Sequence, residues 1–188
     1  MKPYLIILIS LWFTFTACRQ NKIQPKRNNE ISKVCLATGG CYGKCPFMAI
    51  EIDSSLNYRF LGVKYAKREG LYVGEVTQGF WDTLNMKFES VNYKQLDTMY
   101  EHSIDDLSTE LIIHYNNKRK RVIGQSISLP DSLRKIYRLL MNTYTRFELN
   151  KSTDTIDIKF ETRIQNGLPP PPMQFIHQLK VIPPETKQ

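Results

Sequence analysis

The chain has 188 residues and a formal net charge of +8, from 26 Lys and Arg against 18 Asp and Glu. That length suits one domain with a real core. A basic balance raises nucleic acid as a partner, but the export signals at the start of the chain exclude it.

Those signals come first in chain order. Met1-Lys2 gives a short positive end, and Tyr4 to Thr16 ("YLIILISLWFTFT") runs apolar. As a helix this stretch of about 13 residues reaches roughly 20 Å, against about 30 Å for a bilayer core. It is too short to span and has the form of a secretory leader. It ends in "FTAC", with Ala17 directly before Cys18, which resembles the lipobox of bacterial lipoproteins. Phe15 stands where that motif usually has leucine. The resemblance implies cleavage after Ala17, diacylglycerol on the Cys18 sulfur and acylation of its new amine. Several acyl chains together hold a membrane firmly. An ordinary signal peptide cut nearby, leaving Cys18 unmodified, is the plainer alternative.

The expected organisation is a lipoprotein signal peptide at 1–17, a flexible tether at 18–31, a cysteine-loop domain at 32–147, an additional strand within 148–166 and a proline-rich tail at 167–188. The residues after Cys18, "RQNKIQPKRNNEISK", are polar, basic and without pattern, as in a flexible tether. By analogy with Gram-negative lipoproteins, Arg19 in place of aspartate after the cysteine favours the outer membrane, with the domain facing the periplasm. The partners expected are thus a membrane, through the anchor at Cys18, and an unknown envelope protein or ligand.

Within the domain, residues 33–37 suit a short strand entering a glycine loop. "FMAIEI" (47–52) alternates apolar and polar positions as a half-buried strand does, and 58–65 and 70–76 supply two more. The period then changes. From Thr77, an N-cap residue type, Phe80, Trp81, Leu84 and Phe88 recur at helical spacing. A second short helix over about 92–100 would carry Tyr93, Leu96 and Tyr100. "STELIIHY" and "KRVIGQS" return to strands around an Asn-Asn turn, which puts the "KRKR" run (118–121) on a solvated hairpin or in a patch for anionic headgroups or polysaccharide. Pro130 opens an amphipathic helix whose apolar face runs Leu133, Ile136, Tyr137, Leu140, Tyr144 and Phe147. "TIDIKFET" (155–162) alternates again, as a strand with one face in water. The tail holds most of the ten prolines and reads as extended, either lying over the domain or docking to a partner. Hairpins with helices between them, and no βαβ rhythm, predict an α+β fold: a mainly antiparallel sheet of about six to seven strands with two or three packed helices.

The chemistry concentrates in "GGCYGKCP" (39–46). Of four cysteines, Cys18 is assigned to lipidation, which leaves Cys35, Cys41 and Cys45. One disulfide and one free thiol is the natural count in an oxidising compartment. Cys41 and Cys45 flank "YGK" and are favoured as the pair, with either pairing of Cys35 left open; Gly39, Gly40, Gly43 and Pro46 shape the loop. Such a short bridge is a local staple, since closing five residues is worth about 2 kcal/mol.

A thiol-active centre is the alternative. Thioredoxin-type centres use C-x-x-C at a helix start, whereas the spacing here is C-x-x-x-C with strand-like alternation after it. Copper-delivery proteins of the Sco family do carry C-x-x-x-C-P, and soft thiolates suit Cu(I). The three histidines, His102, His114 and His177, are far apart. His114, within a predicted strand, reads as a core hydrogen-bonding group more readily than as a ligand. Neither a phosphate-binding loop nor a nucleophile elbow is complete in the chain. The sequence therefore assigns no catalytic residue, no metal ligand and no cofactor.

Taken together, "TGGCYGKCP", the hairpin and helix after it, "IDDLS", "LIIHY" and "KRKRVIG" resemble a domain-of-unknown-function family of bacterial lipoproteins and secreted proteins. Its signature, Gly-x-Cys-aromatic-Gly-x-Cys-Pro, is carried by Gly39, Cys41, Tyr42, Gly43, Cys45 and Pro46. The resemblance covers roughly 32–147 and brings no activity, substrate or cofactor. Where it leads one to expect Asp-Leu-Pro, the chain has Asp106-Leu107-Ser108.

Overall fold

The computed structural model describes residues 30–41, 43–100, 106–153 and 159–162. The leader, Cys18, most of the tether, Tyr42, His102, His177 and the proline tail lie outside the described residues, as do the expectations placed on them.

Strands β1 (Ile31–Gly39), β2 (Phe47–Asp53), β3 (Asn57–Lys64) and β4 (Gly70–Glu75) follow one another as antiparallel neighbours. Helix α1 (Gln78–Ser90) follows, then β5 (Met99–Tyr100), β6 (Ser108–Tyr115) and β7 (Lys118–Gln125). Helices α2 (Asp131–Met141) and α3 (Thr143–Arg146) and strand β8 (Leu149–Lys151) complete the order. Among the described residues, eight strands form one open sheet in the order β5-β7-β6-β1-β2-β3-β4-β8. This is an α+β architecture, antiparallel except where β5 runs parallel to β7.

Period-2 alternation gives the sheet two distinct faces. The inner face presents Val34, Leu36, Ile50, Ile52, Tyr58, Phe60, Leu111, Ile113 and Val122 to the apolar sides of α1 and α2, and all are buried in one core. Thr77 caps α1 by accepting the Phe80 N–H at 3.2 Å, satisfying a donor that the first turn leaves free. Phe80, Trp81, Leu84 and Phe88 are buried from that helix, and Leu133, Ile136, Tyr137 and Leu140 from α2.

Four expectations need correction. Among the described residues the sheet has eight strands, more than the six to seven predicted. The extra ones are β5 and β8, two and three residues long, too short for alternation to reveal. The helix expected over 92–100 is a 3₁₀ turn at Tyr93–Gln95 followed by β5. Leu96, extended at φ −56° and ψ 146°, ends the helical turn, and the free edge of β7 captures Met99 and Tyr100 as strand. The helix expected to run from Pro130 through Phe147 breaks at Asn142. There the Asn142 amide donates to the Arg138 carbonyl at 2.9 Å and the Thr143 hydroxyl to that of Leu140 at 2.6 Å, side chains competing for helical acceptors. Finally, the strand expected at 155–162 is not one where it is described. Residues 159–162 lie on the outer face of the sheet, and the strand after α3 is Leu149–Lys151, paired with β4.

The Asn116-Asn117 turn is as expected. Both residues have positive φ (44° and 57°), the backbone a two-residue hairpin requires. Two cations of the "KRKR" run are engaged in ion pairs, Arg121 with Glu110 (2.7 Å) and Arg119 with Glu161 (3.3 Å). Among the described residues no helix is long and apolar enough to cross a membrane.

Candidate functional site

The cysteine loop joins β1 to β2. Thr38, near the end of β1, donates its hydroxyl to the Pro46 carbonyl at 2.5 Å and draws the two ends of the loop together. Cys41 and Cys45 then stand at disulfide distance, with Cα atoms 5.8 Å apart. The Gly43 N–H donates to Cys41 Sγ at 3.3 Å. Gly40 packs under Phe47, whose ring edge lies 3.0 Å from where a β-carbon would stand. Gly39, the last residue of β1, pairs with Ser108. The loop residues singled out from the sequence therefore stand around one turn, and Cys35 is not among them.

Cys35 lies in the middle of β1, fully buried, with its side chain on the outer face of the sheet. The registers Lys33↔His114, Cys35↔Ile112, Cys35↔Glu51 and Glu51↔Arg59 set Lys33, Cys35, His114, Glu51 and Arg59 on that one face of four adjacent strands. Residues 159–162 lie over them. Phe160 is buried against Ala37 and Ala49, with Leu61 and Leu71 at its margin and the Arg59 guanidinium over its ring. The small side chains of Ala37 and Ala49 leave the depth that this ring fills.

Phe160 thereby brings Glu161 down onto the polar part of the face. The Glu161 N–H donates to Glu51 Oε1 at 2.7 Å. Glu161 Oε2 lies 2.7 Å from His114 Nε2, 3.6 Å from Lys33 Nζ and 3.9 Å from Cys35 Sγ, while Oε1 receives Arg119 at 3.3 Å. Glu51, 3% exposed, holds Lys33 at 3.2 Å and is also bonded to Arg59. Beside this cluster a cleft of about 150 Å³ is lined by Lys33, Glu51, Asp53, Asn57 and Arg59.

The electrostatics follow from burial and charge. Burial pushes the Cys35 thiol far above its ordinary range, and the Glu51 carboxylate adds to the effect, so Cys35 rests as the neutral thiol. Burial also acts against ionisation of Glu161. The hydrogen bond and charge of His114, with Arg119 and Lys33, outweigh it and hold the carboxyl below the usual range. For Lys33, burial works against the ammonium, but the Glu51 and Glu161 carboxylates outweigh it and raise its pKa.

His114 thus meets a carboxylate, in a setting only half-buried. The residues nearest it come from positions 33, 35, 119 and 161. The sequence signal for such a site was weak but present: one cysteine, one histidine and several charges at strand positions that alternation assigns to the same face. Which strands adjoin, and that residues 159–162 lie across them, is set by tertiary pairing. Cys35, His114 and Glu161 each offer one metal-ligating atom, and these three atoms all lie within 4.8 Å of one another.

An open, mostly antiparallel eight-stranded sheet with helices on one face and a charged cluster on the other defines an α+β protein built around its sheet. The chain belongs to the DUF6438 family, a domain of unknown function, which matches residues 32–144. No curated protein matches it. The family's span takes in Cys35, the cysteine loop and His114 and ends before residues 159–162.

Proposed function

We propose that this protein is a cell-envelope lipoprotein, anchored through lipid on Cys18, whose folded domain is a non-enzymatic binding or structural module. The observation that carries this reading is the division of the cysteines. Cys41 and Cys45 stand at disulfide distance, a pairing that persists in oxidising compartments, and Cys18 follows an apolar leader at Ala17. The tether at 18–31 spaces the domain from the anchoring membrane, which is the outer membrane facing the periplasm in a Gram-negative cell. The cleft lined by Lys33, Glu51, Asp53, Asn57 and Arg59 offers charges of both signs to an envelope protein or ligand.

The anchor is tested by expressing the full chain in a Gram-negative host fed labelled palmitate. Label on the protein and recovery in the membrane fraction are expected, and the label is lost on Cys18→Ser. A soluble periplasmic product with an unmodified Cys18 would overturn the reading.

A second reading rests on a specific contact. The Gly43 N–H that donates to Cys41 Sγ would also favour a thiolate there after reduction. On this reading Cys41 and Cys45 exchange disulfides or carry Cu(I). The two readings separate in the bridge itself. A staple has a reduction potential below about −300 mV, and a working thiol pair one near roughly −200 mV or higher. With a staple, replacing both Cys41 and Cys45 by serine lowers stability by about 2 kcal/mol. Urea unfolding of the double variant beside wild type measures this, and no change in midpoint would show that the bridge does not constrain the unfolded chain.

A further inference from the structure

We propose that Cys35, His114 and Glu161 form a binding site for one divalent transition-metal ion of the zinc and cobalt class. The proposal does not depend on the lipid anchor or on the role of Cys41 and Cys45.

The donor set carries the chemistry. A thiolate, an imidazole and a carboxylate are the three ligand types that zinc takes. Magnesium and calcium prefer all-oxygen shells, so sulfur and nitrogen at the same point select against them. Three protein donors leave a fourth tetrahedral position for water or a ligand, the arrangement of open zinc sites.

The geometry needs only small adjustments. Zinc–ligand bonds of about 2.0–2.3 Å place tetrahedral donors roughly 3.3–3.7 Å apart. The His114–Glu161 pair is at 2.7 Å and the Cys35–Glu161 pair at 3.9 Å, with all three atoms within 4.8 Å. The first separation must open and the second close by well under an ångström each, and the Cys35–His114 pair, within 4.8 Å, closes by up to about one ångström. Cys35 and His114 stand on the neighbouring strands β1 and β6, whose register is fixed by continuous pairing from Lys33 to Gly39. Glu161 arrives from the segment that Phe160 holds down.

A cation already sits beside the carboxylate oxygen that would bind the metal. Lys33 Nζ lies 3.6 Å from Glu161 Oε2, the same oxygen that meets His114. On metal binding Lys33 keeps its closer partner, Glu51 at 3.2 Å, and Arg119 keeps Glu161 Oε1. Neither charge is left without a carboxylate. The step balances simply: the Cys35 S–H bond breaks, its proton leaves to solvent, a sulfur–metal bond forms and nothing is oxidised or reduced. His114 gives up to solvent the Nε2 proton that meets Glu161, and the freed lone pair takes the metal in place of that hydrogen bond.

Binding would fasten residues 159–162 to the centre of the sheet, a link between β1, β6 and the chain beyond β8. The fourth position would face a partner or small ligand arriving over the outer face.

The test uses the full chain with Cys18→Ser, purified in detergent from an oxidising compartment, stripped with chelator and titrated with Co²⁺. One equivalent is expected to produce a near-ultraviolet thiolate-to-cobalt charge-transfer band and visible bands of tetrahedral intensity, bleached by one equivalent of Zn²⁺. Cys35→Ser should abolish the charge-transfer band. His114→Gln, at a half-exposed position that folding tolerates, should keep the native circular dichroism and weaken Co²⁺ binding at least tenfold. The Cys41→Ser/Cys45→Ser variant should bind as wild type does. No charge-transfer band at stoichiometric Co²⁺ would overturn the proposal, as would a band that survives Cys35→Ser or an affinity indifferent to His114→Gln.

Discussion

Replacing Gly62 by valine is expected to lower the unfolding free energy by about 3 kcal/mol, the upper part of the range for forcing bulk into a packed site. A β-carbon at Gly62 would stand 1.8 Å from the Arg68 carbonyl oxygen and 3.1 Å from the Ala66 side chain. The β3–β4 connection folds back over this residue, so the backbone itself must move before any side chain fits. Gly79→Ala is the matched control. Nothing lies within 4 Å of its β-carbon position in α1, and alanine there should stabilise by about 0.5–1 kcal/mol through lost unfolded-state freedom. Urea unfolding measures both, read from the midpoint at constant slope. A Gly62→Val protein as stable as wild type would mean that the connection does not close over β3.

The second large effect is expected at Glu51. Glu51→Ala removes the acceptor for the Glu161 N–H and the carboxylate shared by Lys33 and Arg59. Removing one partner of a fully buried ion pair costs about 3–5 kcal/mol. Lys33 and Arg59 are 31% and 34% exposed, so water takes up part of their charge, and about 2–3 kcal/mol is the expected loss. For a chain of this size that lowers the melting temperature by roughly 4–12 °C. Glu51→Gln keeps a carbonyl for the Glu161 N–H and should lose less. Residues 159–162 should also become cleavable by added protease in Glu51→Ala before the sheet unfolds, because their hold on the outer face is weakened. Equal stability of the alanine and glutamine variants, with residues 159–162 still protected, would show that Glu51 does not tie them down.

These two positions were not equally open to sequence reading. Gly62 sits inside an apolar strand pattern, and its need for a bare α-carbon comes from a loop packing over it, which no local pattern encodes. Glu51 was legible as the polar position of an alternating strand and was expected to face water. It is buried because residues 159–162 cover that face. Much the same divides the elements. β1–β4, α1, β6, β7 and the start of α2 announce themselves by period and by caps such as Thr77. β5 and β8 are only two and three residues long and exist because the exposed edges of β7 and β4 capture whatever chain passes them. The break at Asn142 was hidden because its cause is competition by Asn142 and Thr143 side chains for helical carbonyls, where an apolar stripe continues unbroken through Tyr144 and Phe147.

The sequence by itself determined the α+β class, the order of the main elements, the hairpin at Asn116-Asn117 and the loop around Cys41 and Cys45, because each depends on residues a few positions apart. Only the tertiary structure decided that Cys35, His114 and Glu161 meet. Their separations of 79 and 47 residues carry no local signal. Strand pairing fixes the first contact. The second needs the Phe160 ring buried over Ala37 and Ala49, a long-range packing choice driven by removing that ring from water.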